Sequence, residues 1–210
     1  MRTAVIVACI LAAALACAVA GCRLFSRRST EASVALSARP AGRIAIVYFS
    51  QSQVRNTALV AKWIQKHVGG DLVEIERAEP YPEPYGATLK AANAELASGA
   101  LPAIKPLPPL DGYDIVFLGS PIWYGTYAAP LAAFLASSPL DGKTVAPFCT
   151  HGGGGPALFF ADVAKACPNA KILDGLAVRG SNQIERRLGL GVSSHHTEDA
   201  VVEWLNKIFP

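Results

Sequence analysis

Three short segments of the chain combine residue types that can hold a ligand. Ser50-Gln51-Ser52-Gln53-Val54-Arg55-Asn56-Thr57 is rich in hydroxyl and amide groups and directly precedes an amphipathic run. If that run is a helix, its first N–H groups lack carbonyl partners and lie at the positive end of the helix dipole. The serine and threonine hydroxyls around them would then complete a cradle for one phosphate. The same hydroxyls are also ordinary helix caps. Gly119-Ser120-Pro121-Ile122-Trp123-Tyr124-Gly125-Thr126 is a proline-started turn that can set an aromatic ring against a flat ligand and aim backbone amides at its edge. Its bland alternative is that Trp123 and Tyr124 pack within the domain. Thr150-His151-Gly152-Gly153-Gly154-Gly155 leaves backbone N–H groups bare, an arrangement that suits developing negative charge. His151 either donates a hydrogen bond to a ligand there or is a solvated loop histidine.

Positioning three such loops requires a repeated strand–loop–helix unit. Ile44-Ala45-Ile46-Val47-Tyr48-Phe49 is followed by the first loop, then by Leu59, Val60, Trp63, Ile64 and Val68 at helical spacing, with Gly69-Gly70 as the stop. Leu72 to Arg77 alternates as a second strand, and Pro82 and Pro84 introduce a helix near Tyr85 to Ser98. Ile115 to Leu118, Thr144 to Cys149 and Ile172 to Ala177 read as strands three to five. Helices are expected near 127–136, 156–165 and 197–208. Continuous apolar strands need cover on both faces, which predicts a parallel sheet between two helical layers. Ligands in such sheets sit at the carboxyl ends of strands, and the absence of G-x-G-x-x-G after the first strand argues against a dinucleotide site.

Of 210 residues, 51% are apolar, and the formal charge is only +3, which excludes a strongly basic nucleic-acid-binding domain. Residues 4–20 are a nearly unbroken apolar run after Arg2, read as a targeting segment. Val19-Ala20-Gly21-Cys22 resembles the lipobox of bacterial lipoproteins. That resemblance implies a signal peptide over 1–21, a lipid on Cys22 and a domain outside the cytoplasm in the cell envelope. The alternative is an uncleaved anchor, marginally long for a span; Arg23, Arg27 and Arg28 would then hold the domain at the cytoplasmic face of the membrane. Residues 22–42 lack periodicity and read as a flexible tether, so the domain is expected over 43–210. Cys149 and Cys167, at opposite ends of a strand and its returning helix, should lie roughly 15 Å apart at ~1.5 Å rise per residue. A disulfide reaches only about 7 Å, so free, buried thiols are expected.

Val47-Tyr48-Phe49-Ser50, Ser52, Asn56-Thr57 and Val60-Ala61 resemble the phosphate loop of the flavodoxin-like family, commonly Y-F-S-x-[ST]-G-N-T. Here the loop is two residues longer, and Arg55 stands where the family has glycine. Gly119 to Gly125 resembles the family's G-x-P-I-W-W-G, and Pro147-Phe148-Cys149-Thr150 before the glycines resembles P-F-C-T-S-G-G, with His151 at the serine position. The resemblance covers roughly 43–209 and implies a three-layer α/β flavodoxin-like sandwich whose five parallel strands run in the order 2-1-3-4-5. It also implies FMN as cofactor. FMN would be held by Ser50, Gln51, Ser52, Arg55, Asn56 and Thr57, by Pro121, Ile122, Trp123, Tyr124 and Gly125, and by Thr150, His151, Gly152, Gly153 and Gly154. Residues 179–196 do not match the family, and His195-His196 there are expected to be solvated, with no metal site.

Electron-carrying flavodoxins typically place an aromatic residue on each flavin face, one from the second loop and one from the third. Here the third loop supplies glycines, so one face should stay open to a small molecule. This favours an FMN-dependent oxidoreductase with NAD(P)H or a quinone as donor or acceptor. A flavodoxin-type carrier serving a membrane-associated partner, and a binding module that has lost FMN, are the alternatives. Nicotinamide cofactors are scarce outside the cytoplasm, so an exported reductase could draw on a membrane partner. A homodimer is left open.

Overall fold

The computed structural model describes residues 35–52, 54–181 and 194–210, with side chains in the last stretch from 197 onward. The leader, Cys22, most of the tether, Gln53 and the stretch 182–193 lie outside these residues, as do the side chains of His195 and His196.

Strand β1 (Ile44–Phe49) is buried along its whole length. Because successive side chains of a strand point to opposite faces, Ala45, Val47 and Phe49 enter one core while Ile44, Ile46 and Tyr48 enter the other. Helices α1 (Asn56–Val68) and α5 (Ser194–Ile208) close the second core with Val60, Ile64, Val201 and Leu205. On the other face lie α2 (Tyr85–Ser98), α3 (Ala129–Ser137) and α4 (Phe159–Ala166), which contribute Ala92, Leu131, Phe134, Phe159 and Val163. His195 and His196 fall in the first turn of α5 rather than on a loop.

The sheet combines β1, β2 (Asp71–Ile75), β3 (Ile115–Trp123), β5 (Thr144–His151), β6 (Lys171–Ile172) and β7 (Leu176–Arg179), all in parallel pairs. The path β2-β1-β3-β5-β6 is the expected order, but the sheet has seven strands instead of five. One addition is β4 (Thr126–Tyr127), which folds back antiparallel on β3. The other arises because the expected last strand is broken at Asp174-Gly175. There the Asp174 carbonyl accepts from Trp204 Nε1–H at 2.7 Å instead of serving the ladder, and a Cβ on Gly175 would lie 2.0 Å from the Phe160 ring.

Cys149 and Cys167 are free, buried thiols, and burial pushes the Cys149 thiol up to about 12. At the amino-terminal end, Ser37 N–H donates to Asn206 Oδ1 at 2.7 Å, Asn206 Nδ2–H donates to Ala35 O at 3.0 Å, and Leu36 packs against the second core. Pro40 and Ala41 then border Asp114, Ile115 and Thr144. The chain therefore enters the domain at the amino ends of the strands. No helix among the described residues is long and apolar enough to cross a membrane.

Candidate functional site

At the opposite, carboxyl end of the sheet, the last residues of β3, β5 and β7 and the segments after β1, β2, β5 and β7 surround a cleft of about 430 Å³, within the ~300–1,000 Å³ range usual for small-ligand sites. Ser50, Gln51, Ser52, Val54, Asn56 and Thr57 form one side. Pro121, Ile122, Trp123, Pro84 and Tyr85 form another, and Thr150, His151, Gly152, Arg179, Gly180 and Ser181 complete it.

In the first loop a turn closes through Arg55 N–H to Ser52 O at 2.9 Å, and Arg55 takes φ 53 and ψ 43 just before α1. This is the left-handed conformation that glycine adopts without strain and that costs other residues of order 1–3 kcal/mol. The Arg55 side chain offsets that cost: its guanidinium donates to Ser50 O at 2.7 Å and pairs with Glu74. Glu74 also accepts from the Tyr48 hydroxyl at 3.2 Å; burial, followed by the Glu74 charge, pushes Tyr48 up to about 12 and keeps it neutral. Arg55 therefore braces the loop from outside and is not on the cleft wall. Ser50, almost fully buried, serves one amide of the first helical turn, its Oγ accepting from Ala58 N–H at 3.3 Å. That leaves the N–H groups of Asn56 and Thr57, both cleft residues, at the start of the helix.

Thr57 Oγ1 lies 2.8 Å from Thr150 Oγ1, joining the first and third loops. Only one of the two hydroxyl protons can lie between the oxygens, so the other is left for an acceptor. Both residues are buried and line the cleft, so that second proton is available to an acceptor in the cleft. Together with the helix start and the amide of Asn56, this donor set fits a phosphorylated cofactor.

The second loop is more ordered than expected. β3 runs on through Trp123, and Tyr124 and Gly125, at φ 50 and 87, make a two-residue hairpin turn into β4. Two positive φ values match the right-handed twist of the paired strands, but the usual Asn-Gly signal is missing. Trp123 is only 5% exposed. It packs edge-on against Phe49 and Tyr81 at 5.6 and 5.3 Å, and its Nε1–H donates to Tyr85 Oη at 3.1 Å. It thus belongs to the core while its margin borders the cleft. Tyr124 turns outward, half exposed, with its hydroxyl donating to Leu89 O at 2.9 Å; neither it nor Gly125 lines the cleft.

In the third loop β5 extends through His151, whose Nδ1 accepts from Gly153 N–H at 3.1 Å and from Gly155 N–H at 3.2 Å. These two amides are therefore not bare, and Gly153 and Gly154 stand off the cleft wall; of the four glycines, Gly152 alone lines it. Burial, then the neighbouring Arg179 charge, holds the imidazole below its ordinary pKa. Nor is His151 a freely solvated side chain, since its ring organises the loop.

Pattern reading missed Pro84, Tyr85, Val54 and the segment Arg179 to Ser181. Asn56 Nδ2–H donates to Ser181 O at 3.0 Å, and a Cβ on Gly180 would lie 2.5 Å from that Nδ2. The available signal was the general rule that ligands gather at strand carboxyl ends; the break in the last strand moves that end from Ala177 to Arg179. Among the described residues no group of three or more His, Cys, Asp or Glu could hold a metal ion.

A parallel sheet covered on both faces, with a phosphate-sized donor set and an aromatic-bordered cleft at its carboxyl ends, defines a flavodoxin-like protein. Residues 43–208 match the family model described as flavodoxin, and the chain belongs to that family. A candidate flavoprotein of Bacteroides eggerthii superposes with a TM-score of 0.64 at 27% identity, covering 80% of this chain and 98% of that one. Another, of Bacteroides uniformis, gives 0.60 at 25% identity over 72% and 99%. A Lactobacillus acidophilus flavoprotein in complex with FMN shares the fold, with 0.55 at 23% identity over 70% and 98%. No curated protein matches the chain.

Proposed function

We propose that the chain binds FMN in this cleft and works as an FMN-dependent oxidoreductase, passing electrons between a small donor and a small acceptor such as a quinone. FMN, when bound, supplies one- and two-electron chemistry; the protein supplies position and electrostatics. Ser52, Asn56, Thr57 and the start of α1 would hold the phosphate, and Thr150 would share its hydroxyl with Thr57. Ile122, Tyr85 and the margin of Trp123 would exclude water from the ring system. No catalytic base is required of the protein.

The observation that carries the reductase reading is the distribution of aromatic rings around the cleft. Tyr85 and Trp123 stand together, whereas the described residues on the β5–β7 side include no Trp, Tyr or Phe. The described part of that side would leave room for a small reactant. The test is to titrate the protein with FMN and then follow NAD(P)H oxidation with a quinone present. Turnover supports the reading, and a protein that stays colourless with excess FMN rejects it. A carrier for a protein partner is favoured by the exposed Tyr85, Tyr124 and Leu158, whose N–H donates to Gly125 O at 2.9 Å. It predicts a bound flavin with negligible NAD(P)H oxidation.

Anchoring through a lipid on Cys22, outside the cytoplasm, is part of the same proposal, with an uncleaved cytoplasmic-face anchor as the alternative. Residues 35–42 join the domain at the amino ends of the strands, and the cleft lies at their carboxyl ends. Metabolic labelling with a fatty acid should mark the wild type and leave Cys22→Ser unlabelled if lipid holds the protein there; an unlabelled wild type that still carries residues 1–21 would favour the uncleaved anchor.

A further inference from the structure

We propose that His151 sets which redox form of the cofactor this cleft prefers: its Nε2–H donates into the cleft and favours the reduced, more electron-rich flavin over the oxidised one. The inference rests on FMN occupying the cleft.

The geometry of the third loop makes the assignment. A neutral imidazole carries one proton, and a ring nitrogen that accepts N–H groups cannot also hold it. His151 Nδ1 accepts from both Gly153 and Gly155, so the proton resides on Nε2. His151 lines the cleft, and its backbone is fixed because its carbonyl accepts from Gly180 N–H at 2.9 Å. In the β5–β7 ladder His151 is the register partner of Arg179, which lines the same cleft, so the two side chains lie on one face of the sheet. Burial foremost, then the Arg179 charge, disfavours a second proton on the ring. His151 is thus locked as a neutral single donor.

The consequence follows from where the loop's donors go. Two glycine amides that could have faced the ligand are drawn onto Nδ1, and the imidazole returns one N–H from its far side. Donors fixed before the ligand changes charge stabilise the more electron-rich state most, because no reorganisation is needed and the surroundings are poorly screened. A donor lost at such a site weakens binding of that state by about tenfold.

The test separates the two ring nitrogens. His151→Asn places an amide oxygen near the Nδ1 position, keeping the acceptor for Gly153 and Gly155 while removing the Nε2–H. His151→Gln places an amide N–H near the Nε2 position. Long-range proton–nitrogen NMR of the cofactor-free protein should show His151 as the neutral Nε2–H tautomer near neutral pH. Affinities for oxidised and dithionite-reduced FMN should then show His151→Asn losing about tenfold more for the reduced form, and His151→Gln recovering most of that difference. An Nδ1–H tautomer, or an Asn variant that weakens both forms equally or neither, overturns the proposal. A wild-type protein that binds no FMN instead overturns the reading of the cleft, and this proposal with it, whatever the tautomer.

Discussion

Thr57 Oγ1 and Thr150 Oγ1 meet at 2.8 Å beneath the cleft, so the start of the first helix and the end of β5 share one hydrogen bond and retain one unshared hydroxyl proton. Stability and ligand affinity should therefore respond differently to removal of these groups. Thr57→Val alone leaves a buried hydroxyl short of its partner and should cost about 1–2 kcal/mol in urea denaturation. The double variant Thr57→Val with Thr150→Val buries two methyl groups together and should cost less than the two single variants summed. Affinity should fall most in that double variant, because no hydroxyl donor remains. Equal affinity in the double variant and wild type would show that the pair is purely structural.

Arg55 tests a different part of the loop. Its guanidinium engages Glu74 and Ser50 O and its side chain is 46% exposed, so it holds backbone shape rather than a ligand. Arg55→Gly relieves the positive φ while deleting an exposed ion pair, and the two effects should offset to within about 1 kcal/mol. FMN affinity should change less than about threefold, since no charge is withdrawn from the cleft wall. A drop beyond about tenfold, the scale of a lost charge-assisted bond, would mean that Arg55 reaches the phosphate.

Gly119 marks the contact between β3 and β5. A Cβ there would sit 2.1 Å from the ring of Phe148, itself fully buried. Gly119→Ala should therefore lower stability by about 1–3 kcal/mol through overpacking, measured as the shift in urea midpoint. An unchanged midpoint would mean that the two strands separate more easily than their packing implies.

The pH dependence of stability carries a contribution from Glu198 on α5. Lys66 foremost, then His67, hydrogen-bond its carboxylate at 2.5 and 2.9 Å and hold it below the usual carboxylate range. A carboxylate with a depressed folded-state pKa contributes stability above its ordinary value of 4.5, and that contribution is lost as pH falls through the folded value. Glu198→Gln should cost less than about 1 kcal/mol near pH 7, because Lys66 is 64% exposed. The variant should also lose less stability on acidification than wild type. An identical acid limb in the two proteins would contradict the assignment.

Much of this architecture was legible because burial on both faces leaves a simple trace: β1 and the first part of β3 are uninterrupted apolar runs, and α1 repeats at helical spacing. The departures share a physical cause, contacts made at long range. The break at Asp174 depends on Trp204, and the outward turn of Arg55 depends on Glu74. Tyr124 adopts a positive φ that its residue type does not announce. The role of His151 was illegible for the same reason. A histidine before four glycines reads as either a ligand donor or a solvated side chain, and nothing local says that two of those glycine amides turn onto its Nδ1. Tyr85 was read only as the start of a helix, since nothing local says that the helix begins beside Trp123.

The central claim is that the start of α1, with Asn56 and the Thr57–Thr150 pair, holds a phosphate on a flavin. Titrating the purified protein with FMN and, separately, with riboflavin by flavin fluorescence tests it most directly, because the two ligands differ only in that phosphate. FMN should bind at least about tenfold tighter, as expected for charge-assisted hydrogen bonds at a helix start. Equal affinities for the two, or no binding of FMN, would contradict the account.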